Sequence, residues 1–170
     1  MLLAVASPPA PAAAAGRAET ARGQSAGTGQ WATIASTSPT APAAGSPLSL
    51  TAVRSGSTAN PAAYFWVYNT GTLPLLDTTY ALTGSSSTAT TLAVEACSTT
   101  WNEATTGAAC SGTITTVVPL GASRSGVAPA APGARVRLRL PPTAKNEGYS
   151  VSLTVSVSRA QARAAAVTRS

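Results

Sequence analysis

An all-β chain folded as a single antiparallel β-sandwich of about seven or eight strands is predicted by three features of the sequence. In residues 149–158, Tyr149, Val151, Leu153, Val155 and Val157 alternate with Ser150, Ser152, Thr154, Ser156 and Ser158. A helix would scatter those apolar side chains around its circumference, whereas a strand places them all on one face. From residue 48 onward, other short alternating runs are separated by turn residues at the spacing typical of a sandwich. Before the C-terminal tail, no amphipathic stretch is long enough for a useful helix. The expected outline is Ig-like or jelly-roll-like with disordered termini, and 170 residues suffice for one such domain with a sizeable core.

Taken in order, residues 1–29 read as a signal-like or low-complexity leader. The stretch has a short apolar run and small-residue sites near Ala13 and Ala15, but no basic region before the apolar core. Either the true start lies upstream of Met1, or the leader is simply low in complexity; an export signal is the preferred reading. Residues 30–160 form the expected sandwich domain. "WATIAST" (31–37) is a candidate edge strand, and in "LSLTAVR" (48–54) Leu48, Leu50 and Ala52 share one face. "AAYFWVYNTG" (62–71) is the most aromatic stretch and ends in a turn signal, and "LLDTTYALTG" (75–84) follows Pro74. "TATTLAVEAC" (88–97) and "TITTVVPL" (113–120) flank the cysteine loop as a hairpin. "ARVRLRL" (134–140) and "YSVSLTVSVSRA" (149–160) are expected to pair with each other across "PPTAKNEG". Val136, Leu138 and Leu140 then face inward and Arg135, Arg137 and Arg139 outward, leaving one sheet face solvated. Residues 161–170 are a basic, alanine-rich tail, expected to be mostly disordered.

Cys97 and Cys110 are the only cysteines. Zinc needs about four ligands, and a chain with no histidine cannot assemble the set. Redox pairs are usually spaced C-x-x-C, whereas twelve residues intervene here. A structural disulfide or two buried thiols remain, and the disulfide is the expectation. Closing this loop in the unfolded chain is worth about 3 kcal/mol. It would also hold Trp101 in place, and it implies an oxidising exterior.

Charge and composition narrow the function classes. The net charge is +6, but Arg17, Arg22, Arg159, Arg163 and Arg169 lie near the termini, opposed there only by Glu19. Residues 23–158 hold six basic side chains against Asp77, Glu95, Glu103 and Glu147, so the body is only mildly basic. Nucleic-acid binding, which needs a dense cationic face, is not expected. No run reaches the ~20 apolar residues of a membrane span, so no transmembrane anchor is expected. Without histidine the usual general base is missing, and the four carboxylates fall on different expected elements. No enzyme activity, catalytic residue, metal or cofactor is expected. Lys145, Asn146 and Glu147 invite an isopeptide bond, but their turn context points to solvated charges.

A candidate ligand or partner surface comes from parity. Tyr64, Trp66 and Tyr68 share one face of their strand, and Phe65 and Val67 share the other. If the latter face the core, an aromatic row lies outside, able to stack on sugars or on a partner. The alternative is that an N-terminal segment or a loop covers it. Arg135, Arg137 and Arg139 can pair with anionic wall polymers or lie over those aromatics as cation–π contacts. They can also simply protect an edge strand from association. Trp101 completes the set.

The stretch "YFWVYNTGTLPLLDTTYALTG" resembles small exported β-sandwich proteins of Gram-positive bacteria, including the TasA and camelysin group of biofilm-fibre proteins. Phe65, Val67, Asn69, Thr70, Gly71, Thr72 and Leu73 carry the F-x-V-x-N-T-G-T-L pattern. Related actinobacterial secreted proteins with alternate signal peptides are similar in their cysteine loop, matched by Cys97, Trp101, Asn102, Cys110, Ser111 and Gly112, and in a following strand matched by Pro132, Gly133, Val136, Leu138 and Arg139. The resemblance implies a secreted, non-enzymatic cell-surface or extracellular-matrix structural protein, self-assembling into fibres or oligomers. The alternative is a secreted carbohydrate-binding or cell-wall-binding module that uses the aromatic row. A third class, a protease inhibitor presenting the clipped loop, is possible on geometry alone.

Overall fold

The computed structural model describes residues 29–40, 47–54, 56, 58–103 and 110–157. The expected leader up to residue 28 and the tail therefore lie outside the described residues. Among those described there is no helix, and nine strands form: β1 (Thr33–Ser36), β2 (Leu48–Ala52), β3 (Ala63–Asn69), β4 (Thr78–Ser86), β5 (Ala93–Cys97), β6 (Ile114–Pro119), β7 (Ala122–Gly126), β8 (Arg135–Leu140) and β9 (Tyr149–Val157). They make two antiparallel sheets, ordered β1-β3-β8-β5-β6 and β2-β9-β4-β7. The all-β sandwich is as expected.

Period two builds the core. On β9, Tyr149, Val151, Leu153 and Val155 are buried, while Ser150, Thr154 and Ser156 face water. Phe65 and Val67 of β3 oppose Leu138 and Val136 of β8, and these inward side chains meet Tyr80 and Leu82 of β4 across the sandwich. Between the sheets the apolar residues form one continuous cluster. The outward face of the four-stranded sheet is a field of small hydroxyls, with Ser49, Ser152 and Thr83 in one cross-strand row and Thr51, Ser150 and Ser85 in the next.

Two expectations about the strands are corrected. β8 and β9 do not pair with each other. β8 lies between β3 and β5, and β9 lies between β2 and β4 in the opposite sheet. The connection opens on Pro141 and Pro142, which lack backbone N–H donors, and it crosses from one layer to the other rather than turning back as a hairpin. It follows that the arginine-bearing strand is interior to its sheet, so its arginines do not guard an edge. The second difference is β7, "ASRSG", which shows no apolar alternation in sequence. It forms because the tight turn at Leu120–Gly121 delivers it to the free side of β4, with Ala122 opposite Leu82.

The turn after β3 ties three segments together. The Asn69 side-chain amide donates to the Leu73 carbonyl at 3.0 Å and, more loosely, to that of Ala130 at 3.4 Å. Its oxygen accepts from Gly71 N–H at 3.0 Å. On one side Thr70 and Gly71 donate to the Ala32 carbonyl, and Thr72 and Leu73 donate to that of Gln30. On the other, Asn69 and Gly133–Ala134 exchange backbone hydrogen bonds. Gly71 is required by close approach, since a Cβ there would lie 2.3 Å from the Gln30 oxygen. The N-T-G-T-L stretch is thus a physical clasp between the start of the domain and the loop leading into β8.

Tyr80 is fully buried, and its hydroxyl donates to the Val127 carbonyl. Burial, and then the charge of Asp77, push its pKa well above the ordinary 10.0, and burial raises that of Tyr149. The folded state therefore holds protons that the unfolded chain releases near pH 10. The stabilisation is fully present below that value and is lost as pH rises beyond it. Thermal melts are expected to show a steady fall in Tm above about pH 10, with a shallower slope in Tyr80→Phe. Identical slopes in the two proteins would assign the alkaline loss elsewhere.

Candidate functional site

The register of one strand pair decides both faces of the five-stranded sheet. With Phe65 opposite Leu138 in the core, Tyr64 falls opposite Arg139, Trp66 opposite Arg137 and Tyr68 opposite Arg135 on the outside. The aromatic row and the arginine row thereby interleave. The Arg135 and Arg137 guanidinium carbons each lie 4.4 Å from the Trp66 ring centroid, and Arg137 lies 5.2 Å from that of Tyr64. Such contacts are worth about 0.5–2 kcal/mol each, more as water is excluded.

Trp101 joins from the cysteine loop. Cys97 and Cys110 are bonded, with their Cα atoms 5.8 Å apart, and Trp101 bridges Cys110 in antiparallel fashion. The indole N–H donates to the Arg137 carbonyl at 2.9 Å. That carbonyl has a side-chain donor because β5 pairs with β8 only at Glu95–Arg139 and Ala96–Leu138 before ending at Cys97. The indole occupies the position a further strand residue would fill. Its ring meets Tyr64 edge-on at 5.9 Å, and the Arg139 guanidinium lies 4.4 Å from its centroid.

Two carboxylates complete the face. Glu95 Oε2 accepts from Arg139 Nε at 2.8 Å, in a pair that is nearly closed to water. Glu103, half-exposed, pairs with Arg137 Nη2. Arg135 donates to the Pro39 carbonyl. Sequence reasoning missed both glutamates as partners of the arginines. The only local signal was the place of Glu103 two residues beyond Trp101.

Seven side chains were singled out as a surface. The structure brings Tyr64, Trp66, Trp101, Arg135, Arg137 and Arg139 into one contiguous layer. Tyr68 is set apart: it is 7% exposed, and its hydroxyl donates to the Ser38 carbonyl at 2.7 Å under the segment that follows β1. The aromatic row is therefore covered at one end and braced by arginines along the rest, and it does not stand as a bare platform. Beside it a groove of about 510 Å³ runs between Trp66 and Trp101, with Thr99, Thr100, Glu103, Arg135 and Arg137 along its walls.

The remaining charged groups are dispersed. Glu147 accepts from Ala89 and Ala144 N–H, and Asp77 accepts from Thr78 N–H. Lys145 is exposed in the connection between β8 and β9. Among the described residues no three His, Cys, Asp or Glu gather where they could hold a metal ion, and no helix is long and apolar enough to cross a membrane. Compared with protein-family models, curated proteins and solved structures, the chain matches none of them.

Proposed function

We propose that the chain is an exported, non-enzymatic protein of the cell exterior, a surface or matrix structural component that associates with copies of itself. The observation that carries this reading is the edge of the five-stranded sheet. β6 is its last strand, and it has no strand partner on its outer side among the described residues. Its first half, Ile114, Thr115 and Thr116, is exposed, β-branched and without charge. Natural edges are usually blunted by Lys, Pro or a β-bulge, and here the bulge at Val117 and Pro119 both lie in the second half of β6, leaving Ile114–Thr116 unguarded. The disulfide supports export, because such bonds persist in oxidising compartments. The likeness of the Asn69–Leu73 turn to exported fibre-forming sandwiches points the same way.

Sedimentation and electron microscopy test it. The purified protein is expected to assemble as concentration rises, and Ile114→Lys is expected to stay monomeric with Tm unchanged, since a surface substitution there costs within about 0.5 kcal/mol. A wild-type protein that is strictly monomeric across concentration and pH sinks the reading.

A second reading, a binding module for cell-wall carbohydrate, is favoured by the groove between Trp66 and Trp101. Calorimetric titration with wall polysaccharides tests it, and no heat with any sugar class removes it.

A further inference from the structure

Of the three outward arginines, two are held differently from the third. Arg139 and Glu95 form a closed pair, with side chains 10% and 21% exposed. Arg135 and Arg137 both reach Trp66, and between them they have a single carboxylate, Glu103. Two cations against one anion leave the groove with a local positive surplus.

Arg137 also has a half-used edge. Its face is stacked on Trp66 and Tyr64, which leaves the in-plane N–H groups to bind acceptors. Nη2 carries Glu103, while the adjoining Nε is buried and finds no partner among the described residues, so a ligand reaches this edge only as Glu103 moves aside. These two nitrogens lie on the same side of the guanidinium, the edge that a carboxylate ordinarily takes with both oxygens. Glu103 takes only part of it.

We infer that the groove between Trp66 and Trp101 binds an acidic sugar residue of an extracellular polysaccharide, its carboxylate on the Arg137 edge, and that Glu103 is an internal competitor which the ligand displaces. The inference rests on the binding-module reading and gives it a ligand class. The guanidiniums stack on the indole rings, and the rims of Trp66 and Trp101 that line the groove offer apolar C–H surface to a pyranose. Thr99 and Thr100 offer hydroxyls to its polar rim. An acidic peptide would use the charge but not the apolar ring rims, and a neutral glycan would use the rims but not the charge. Glu103 can be displaced because its side chain is 48% exposed, and ion pairs so open to water are weak. Glu95, 21% exposed and paired with Arg139 rather than Arg137, does not compete at this edge.

The test is calorimetric titration of the full chain with polygalacturonate, neutral galactan and poly-L-glutamate, at fixed moderate salt, for the wild type, Glu103→Gln and Arg137→Gln. Polygalacturonate is expected to bind most tightly, and Glu103→Gln is expected to tighten it about two- to fivefold, the worth of a solvent-exposed ion pair. Arg137→Gln is expected to abolish the preference for the acidic polymer. Because removing Arg137 disturbs the stacked layer, Tm is measured alongside; the gain in Glu103→Gln is the decisive arm, as it needs no loss of structure. Unchanged or weaker binding by Glu103→Gln overturns the competitor. Galactan binding as tightly as polygalacturonate overturns the acidic assignment while leaving the binding-module reading intact. Poly-L-glutamate binding as tightly as polygalacturonate overturns the sugar in favour of an acidic peptide. No heat in any arm overturns the inference and the module reading together.

Discussion

Asn69→Ala is expected to cost about 2 kcal/mol of folding stability, because it deletes a buried side chain that makes three hydrogen bonds, each worth roughly 0.5–1.5 kcal/mol net. Asn69 is 1% exposed. Its amide donates to the carbonyls of Leu73 and Ala130, and its oxygen accepts from Gly71 N–H. The substitution leaves the Leu73 carbonyl without its side-chain donor, while the Ala130 carbonyl keeps Leu75 N–H and Gly71 N–H keeps the Ala32 carbonyl. It also loosens the clasp that joins residues 30–32, the turn and the 130–134 loop. Asn69→Asp separates hydrogen bonding from shape. The introduced carboxyl keeps the acceptor but turns its second oxygen toward two carbonyls. Burial and those carbonyls disfavour its charged form and raise its folded pKa. The Asp variant is therefore expected to be least stable at neutral pH and to recover as pH falls through the raised pKa toward about 4. Urea unfolding at several pH values reads both effects. A loss below about 1 kcal/mol for the Ala variant would mean that the clasp is held by its backbone bonds alone.

Removing the disulfide is the second large effect. In Cys97→Ala/Cys110→Ala the unfolded chain regains the freedom of a loop spanning 13 residues of sequence separation, worth about 3 kcal/mol in the chain-entropy model. For a domain of this size that corresponds to a fall in Tm of about 10 °C, visible in calorimetric scans. The loss extends beyond the loop, because Trp101 bridges Cys110, caps the Arg137 carbonyl and packs on Tyr64. Trp101 fluorescence is expected to shift toward that of exposed indole in the folded double variant. An unchanged emission would show that the indole is seated by β8 rather than by the sulfur bridge. Reductant applied to the wild type should reproduce both changes.

The turn of residues 69–73 was legible as a motif before its purpose was. The Asn-Thr-Gly signal marks a chain reversal by local chemistry alone. Its attachment to Gln30 and Ala32 on one side and to residues 130–134 on the other involves segments far away in sequence. Likewise the sequence leads to the expectation of a Cys97–Cys110 bridge over two buried thiols, and the bond is present. That Trp101 would donate its N–H to Arg137, and so substitute for a missing strand residue, depends on β5 leaving β8 after only two paired residues. Tyr68 shows the limit most plainly. Its parity matches that of Tyr64 and Trp66, yet the segment after β1 covers it, and alternation carries no information about what lies on top of a face.

What the sequence determined by itself was the alternation: which side chains of β3, β8 and β9 turn inward, and hence that two layers of strands enclose an apolar core. Only the tertiary structure decided which strands are neighbours. "ARVRLRL" and "YSVSLTVSVSRA" carry equally good patterns and a short connection, and they nonetheless belong to opposite sheets. The physical reason is that a period of two selects a face through local backbone geometry, whereas a neighbour is selected by nonlocal packing and hydrogen bonding over the whole sandwich. Placing β8 beside β3 is what stacked the arginines on the tryptophan, and with that contact came the groove on which the binding proposal stands.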